Sequence, residues 1–145
     1  MGEIITRYCH FIGIFLLVAS LLGELMLIEL EMSRKQFRKL SLLDSMYGMG
    51  AMIALIAGLI LWFGVGKPST YYTHNIVFHI KLGLFIVIGL LSIVPTVFFI
   101  KNRKGDAEII QIPRHVIGII KLQVALVPIL PLLAVMMARG IGYSE

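Results

Sequence analysis

Five ionisable side chains interrupt stretches that otherwise carry almost nothing but hydrocarbon: His10, Glu24, His79, Lys81 and Lys121. A charge held in hydrocarbon is costly, so such residues normally face a bundle interior and mark a site. Imidazole is a good ligand for haem iron. An amine can follow it when deprotonated, or hold a propionate or a substrate carboxylate when protonated. A carboxyl beside a lysine supports a buried ion pair or a proton relay.

Spacing decides which of these groups can act together. His10 and Glu24 are 14 residues apart, about 1400° of helical rotation at ~100° each, and so return to nearly the same face. Gly13, Leu17 and Ser20 lie between them on that stripe. Lys81 and Ser92 share a face in the same way, as do Lys121 and Arg139. His79 and Lys81 are separated by about 200°, so at most one of them can ligate a given centre.

The elements that must hold these residues are membrane spans. The 145-residue chain is 59% hydrophobic and 14% charged, a balance typical of integral membrane proteins. Four apolar runs, about Ile4 to Glu29, Ser45 to Val65, Ile76 to Ile100 and Pro113 to Ala138, are each long enough to cross a bilayer as a helix. The expected fold is all-α, an integral-membrane antiparallel four-helix bundle forming a single domain over residues 1–145. Little chain remains for a soluble domain, and the N-terminus lacks the pattern of a cleaved signal peptide. Cys9 is the only cysteine, which leaves no intrachain disulfide, and Cys9-His10 lacks the first cysteine of a c-type haem motif.

The net charge of +5 is clustered in Arg34, Lys35, Arg38 and Lys39 and in Lys101, Arg103 and Lys104. That clustering points to topology, and to contact with anionic headgroups, rather than to nucleic acid. It places the first and third connections in the cytoplasm and both termini on the outer, periplasmic side of a bacterial inner membrane. Tyr8, Trp62, Tyr71, Tyr72 and Tyr143 then fall at the outer interface, as an aromatic belt does.

With that topology the polar residues form two clusters. His10, His79 and Lys81 lie in the outer half, with Arg7, Lys67 and Arg139 at or just above the same level. Glu24, Asp44, Tyr47, Arg114 and Lys121 belong to the cytoplasmic half. Glu24 and Lys121 are expected to pair there. A lone histidine near the interface is more simply a ring bonded to neighbouring backbone. Two histidines and a lysine at matching depth favour a b-type haem site. His10 is the first axial ligand in that reading, with His79 or Lys81 the second, and Arg7, Lys67 and Arg139 stand near the propionates. No three or four ligands fall at spacing usable by zinc. The row Gly50, Ala54 and Gly58 allows close helix approach or room for a flat ligand, and makes a homo-oligomer credible.

The stretch Tyr8-Cys9-His10-Phe11-Ile12-Gly13, followed by Phe78-His79-Ile80-Lys81-Leu82, resembles the HemJ-type protoporphyrinogen IX oxidase family of small four-helix membrane proteins. The resemblance implies bound haem b, with the family's first-helix histidine at His10 and its third-helix lysine at Lys81. A closer likeness is to a bacterial family of predicted four-span membrane proteins without an assigned activity. Leu43-Asp44-Ser45-Met46-Tyr47-Gly48, Phe78 to Phe85, Leu91-Ser92-Ile93-Val94-Pro95-Thr96 and Met137-Ala138-Arg139-Gly140 carry that likeness along nearly the whole chain.

The expected function is therefore redox chemistry at haem b: electron transfer, or oxidation of a porphyrinogen-like substrate with quinone or another redox protein as partner. Lys81 is the candidate catalytic residue in that scheme, orienting a substrate carboxylate. The rivals are a small proton-coupled transporter using Glu24, Asp44 and Lys121, and a structural or assembly subunit of a larger membrane complex.

Overall fold

The computed structural model describes residues 1–144. Two long helices open the chain, α1 (Gly2–Leu27) and α2 (Arg34–Ile60), and α2 runs on through a π-helical turn, Leu61–Val65. A short α3 (Ser69–Thr73) leads into α4 (Ile76–Asn102), and the last span is built from α5 (Arg114–Leu126) and α6 (Ile129–Ala138). Four segments are long and apolar enough to cross a membrane: Gly2–Leu27, Arg34–Val65, Ile76–Asn102 and Arg114–Ala138. Many of their large apolar side chains are exposed, Phe15, Met26, Phe63, Leu90 and Val135 among them. That is stable only where the surroundings are hydrocarbon.

The two hairpin connections meet at one end of the bundle. There β1 (Glu31–Ser33) pairs antiparallel with β2 (Ile109–Gln111), with Met32 opposite Ile110. The sequence pattern gave no strand at either place. Both loops leave the spans here, and pairing them satisfies backbone groups that no helix can. Met32 and Ile110 turn inward and close the core over Phe37 and Phe99, whose rings meet edge-on at 5.8 Å. Ser33 then starts α2 through a reciprocal cap with Gln36. The helix therefore begins at Arg34, well before the apolar run at Ser45, because the cap and the buried Phe37 and Leu40 extend it into the basic segment.

At the opposite end the N-terminus, α3 and the C-terminal turn come together. Asn75 caps α4, its Oδ1 accepting from the backbone N–H of Val77 and Phe78. Ile76 N–H donates to Gly142 O, and Ser144 N–H to His74 O. The Tyr71 hydroxyl donates to Met137 O at 2.7 Å, and Lys67 lies over the Tyr71 ring at 4.1 Å. Trp62, Phe63, Phe78 and Tyr72 pack beside them. The helices thus alternate in direction, with one basic end and one aromatic end.

Two local features bear on the sequence reading. The fourth span is not one helix: it bends at Val127 and Pro128, since Pro128 supplies no N–H and Pro131 follows one turn later. The row of small residues in α2 takes the first of its two expected uses, close helix approach. A Cβ on Gly13 would stand 2.6 Å from Ala54 N, and one on Gly50 would stand 2.6 Å from Leu17 N. The row is therefore used for backbone contact between α1 and α2 within the chain.

Candidate functional site

His10 lies in the α1–α2 seam. Its Nδ1 is 2.7 Å from Ala54 O. A carbonyl only accepts, so Nδ1 carries the proton and the lone pair is left on Nε2. Gly58 makes the position possible: a Cβ there would stand 3.3 Å from the ring's Cε1. The ring feels the positive charges of Lys81 and Arg7. Lys81, half-buried on α4, is thus a cation within electrostatic range of His10.

The remaining residues of the expected outer cluster do not converge on His10. His79 is exposed, and its Nε2 is 2.8 Å from Thr73 O at the foot of α4. The 200° between it and Lys81 turns one outward when the other faces in, and the structure turns Lys81 in. His79 Nε2 is thereby engaged at Thr73, away from the bond that His10 makes to Ala54. Arg7 reaches back one turn to Glu3, with Nη2–Oε1 at 2.7 Å, on the exposed side of α1. Arg139 is exposed beyond the end of α6, and Lys67 is engaged with Tyr71.

For haem b, the residues present fit one axial position. His10 offers Nε2 with its tautomer fixed by a backbone acceptor, the arrangement that metal-ligating histidines usually have. Lys81 is the α4 group suited to a second ligand or to a propionate. The α1–α2 seam itself is closed by backbone contact, which leaves no room for a macrocycle between those two helices.

The larger concentration of buried polar groups is deeper, toward the basic end. Glu24 on α1 is 2% exposed, and its Oε1 has no hydrogen-bond partner. Ser20, one turn before it on the same face, has an unpartnered Oγ. From α2 come Asp44 and Tyr47, from α4 Thr96, and from α5 Gln123. Thr96 donates to Asp44 Oδ1 at 2.9 Å. Gln123, 1% exposed, donates through Nε2 to the Tyr47 hydroxyl at 3.0 Å and to Ile88 O at 3.3 Å. Glu24 lies within electrostatic reach of both Asp44 and Tyr47.

The expected ion pair between Glu24 and Lys121 is absent. Lys121 is exposed on α5, on the far side from the buried stripe Val116, Ile120, Gln123 and Val127. The reason is angular: Lys121 is about 200° from Gln123, so once Gln123 faces the core Lys121 cannot. Arg114 is likewise exposed. The cluster instead assembles two carboxyls, a phenol, an amide and hydroxyls. Gln123 was missed in the sequence, although a glutamine within an apolar span was itself a signal.

These features define a multi-pass membrane protein whose four spanning helices enclose a polar core. Residues 2–142 match the family described as "Predicted membrane protein (DUF2214)", and the chain belongs to that family. No curated protein and no solved structure matches it.

Proposed function

We propose that this protein is a small proton-coupled membrane carrier, with Glu24 as the group that takes up and releases the proton. One observation carries the reading: Glu24 is 2% exposed in a spanning helix, with Oε1 unpartnered and Asp44 rather than a cation nearby. An isolated carboxylate is costly in such a place, whereas a carboxyl that holds a proton is tolerated. Asp44, held by Thr96, lies across the α1–α2 seam at nearly the same depth as Glu24. Tyr47, within electrostatic reach of Glu24, and Gln123 add further polar groups beside it. Positive-inside bias puts the basic end in the cytoplasm of a bacterial inner membrane and both termini in the periplasm. Four helices leave little room for a substrate path, which favours a homo-oligomer. In proteoliposomes, potential-driven internal acidification should require Glu24 and be abolished in Glu24→Gln, with the purified variant still folded. Equal acidification by wild type and Glu24→Gln would reject the reading.

A second reading rests on His10. Its bonded Nδ1 and the lone pair left on Nε2, with Lys81 within electrostatic range, suit an axial ligand of haem b, with a redox role involving quinone or another redox protein. Lys81 would hold a propionate or orient a substrate carboxylate. Protein from haem-replete cells should then show a dithionite-sensitive Soret band that His10→Ala removes. Colourless protein that takes up no added hemin would exclude it.

A further inference from the structure

We propose that the cavity between Arg38 and Arg103 at the basic end binds a phosphate ester, supplied by the headgroup of an anionic phospholipid. The cavity measures about 300 Å³ and is lined by Arg38, Ser41, Leu42, Ser45 and Arg103. It brings two guanidiniums from different spans to one hollow, one from the second turn of α2 and one from the end of α4. Planar forks of this kind match phosphate oxygens in paired hydrogen bonds.

The two arginines are free for such a ligand. Among the described residues the one salt bridge is Arg7–Glu3. The nearby Arg34 is occupied, its Nε donating to Ala107 O at 3.0 Å and its Nη1 to Asn102 O at 2.6 Å. Among the described residues no comparable bond holds Arg38 or Arg103. The carboxylate that feels Arg103 is Asp44, which is buried further in and already accepts from Thr96. Ser41 and Ser45 add hydroxyls at the wall, Ser45 Oγ donating to Ser41 O at 3.1 Å.

Depth selects the lipid. The span Arg34–Val65 contains 32 residues, about 48 Å of helix at ~1.5 Å per residue. The hydrocarbon core is about 30 Å thick, so about 9 Å, or roughly six residues, projects at each end. Arg38 therefore lies in the headgroup layer and Ser41 at the hydrocarbon boundary. Leu42, 62% exposed, lines the same hollow and offers an apolar rim for the acyl chains. The volume accommodates a phosphate with its glycerol, while the tails remain in the bilayer.

The test uses the full chain purified in a mild non-ionic detergent. Lipid retention is read by native mass spectrometry, and thermal stability is measured with added phosphatidylglycerol, phosphatidylcholine or inorganic phosphate. Phosphatidylglycerol should be retained and should raise the melting temperature, with phosphatidylcholine inactive. Arg38→Gln and Arg103→Gln should each weaken retention about tenfold, the worth of one charge-assisted bond pair. Lys39→Gln, on the same helix but outside the hollow, should retain lipid as wild type does. Protection by inorganic phosphate that the same arginine variants remove would assign the site to a soluble phosphate ester, with the chemistry unchanged. Equal losses in all three variants, or equal protection by both lipids, would mean diffuse attraction and overturn the site. Ser41→Leu, which fills the hollow and leaves both arginines, provides the check should an arginine variant fold poorly: retention that survives it refutes the proposal.

Discussion

Gly13 and Gly50 face each other so closely that a Cβ on either would fall within 3 Å of the other's carbonyl oxygen, at 2.9 Å and 2.8 Å respectively. The α1–α2 pair is thus held by direct backbone approach, and that approach sets the position of everything on the two facing stripes. His10 reaches Ala54 O one turn toward the aromatic end of this contact. Glu24 comes within reach of Asp44 toward the basic end.

Substitution of Gly50 by alanine should therefore separate the two helices. The nearest atoms are backbone, which cannot rotate away. Overpacking of this kind costs about 1–3 kcal/mol. Thermal unfolding in detergent should show a lower midpoint for Gly50→Ala. Gly83→Ala, where a Cβ meets nothing within 4 Å, should match wild type. Equal midpoints for wild type and Gly50→Ala would mean that the helices are not in backbone contact.

Much of this fold is legible from residue types, and some of it is not. The four spans follow from apolar length alone, and their alternation follows from short connections with basic residues on one side. The stripe His10, Gly13, Leu17, Ser20 and Glu24 follows from 3.6-residue periodicity. Azimuth between helices does not follow from periodicity. Nothing in the spacing of α5 says whether Gln123 or Lys121 faces inward, and the expected pairing of Glu24 with Lys121 fails on that angle. For His79 and Lys81 the spacing excludes a joint role but leaves the choice to tertiary packing. The β1–β2 pair was illegible because a three-residue strand carries no period and exists only because two distant loops meet.

The Tyr47–Gln123 bond links α2 to α5 through the polar core. A double-mutant cycle with Tyr47→Phe and Gln123→Leu should return a coupling of about 0.5–2 kcal/mol, the range for hydrogen bonds between spanning helices. Gln123→Leu alone should be the less damaging single change, because leucine nearly matches its volume and removes the buried amide itself, leaving the Tyr47 oxygen short of one donor. A coupling of zero in unfolding titrations would show that the two side chains do not meet.

Arg34 ties the start of α2 to the end of α4, donating to Asn102 O and Ala107 O. Arg34→Gln should lower stability by about 1–2 kcal/mol, since bonds from a charged donor are worth more than neutral ones but this one is partly exposed. Lys35→Gln, next to it and exposed, should stay within about 0.5 kcal/mol of wild type. Chemical unfolding of the two variants side by side reads the difference. Similar losses would indicate a general effect of basic charge on this end rather than a specific clasp.

Orientation can be read from the two ends separately. Cys9 is the only cysteine, so Cys9→Ser gives a background free of thiols. Ser144 lies with the aromatic end, where its backbone N–H donates to His74 O, and Asp106 lies in the loop leading to β2 at the basic end. Both positions are exposed. Basic residues flanking spans resist translocation, so the loop with Lys101, Arg103 and Lys104 should stay inside. A membrane-impermeant maleimide should modify Ser144→Cys in intact cells and Asp106→Cys only after lysis. The opposite pattern would put the basic end outside.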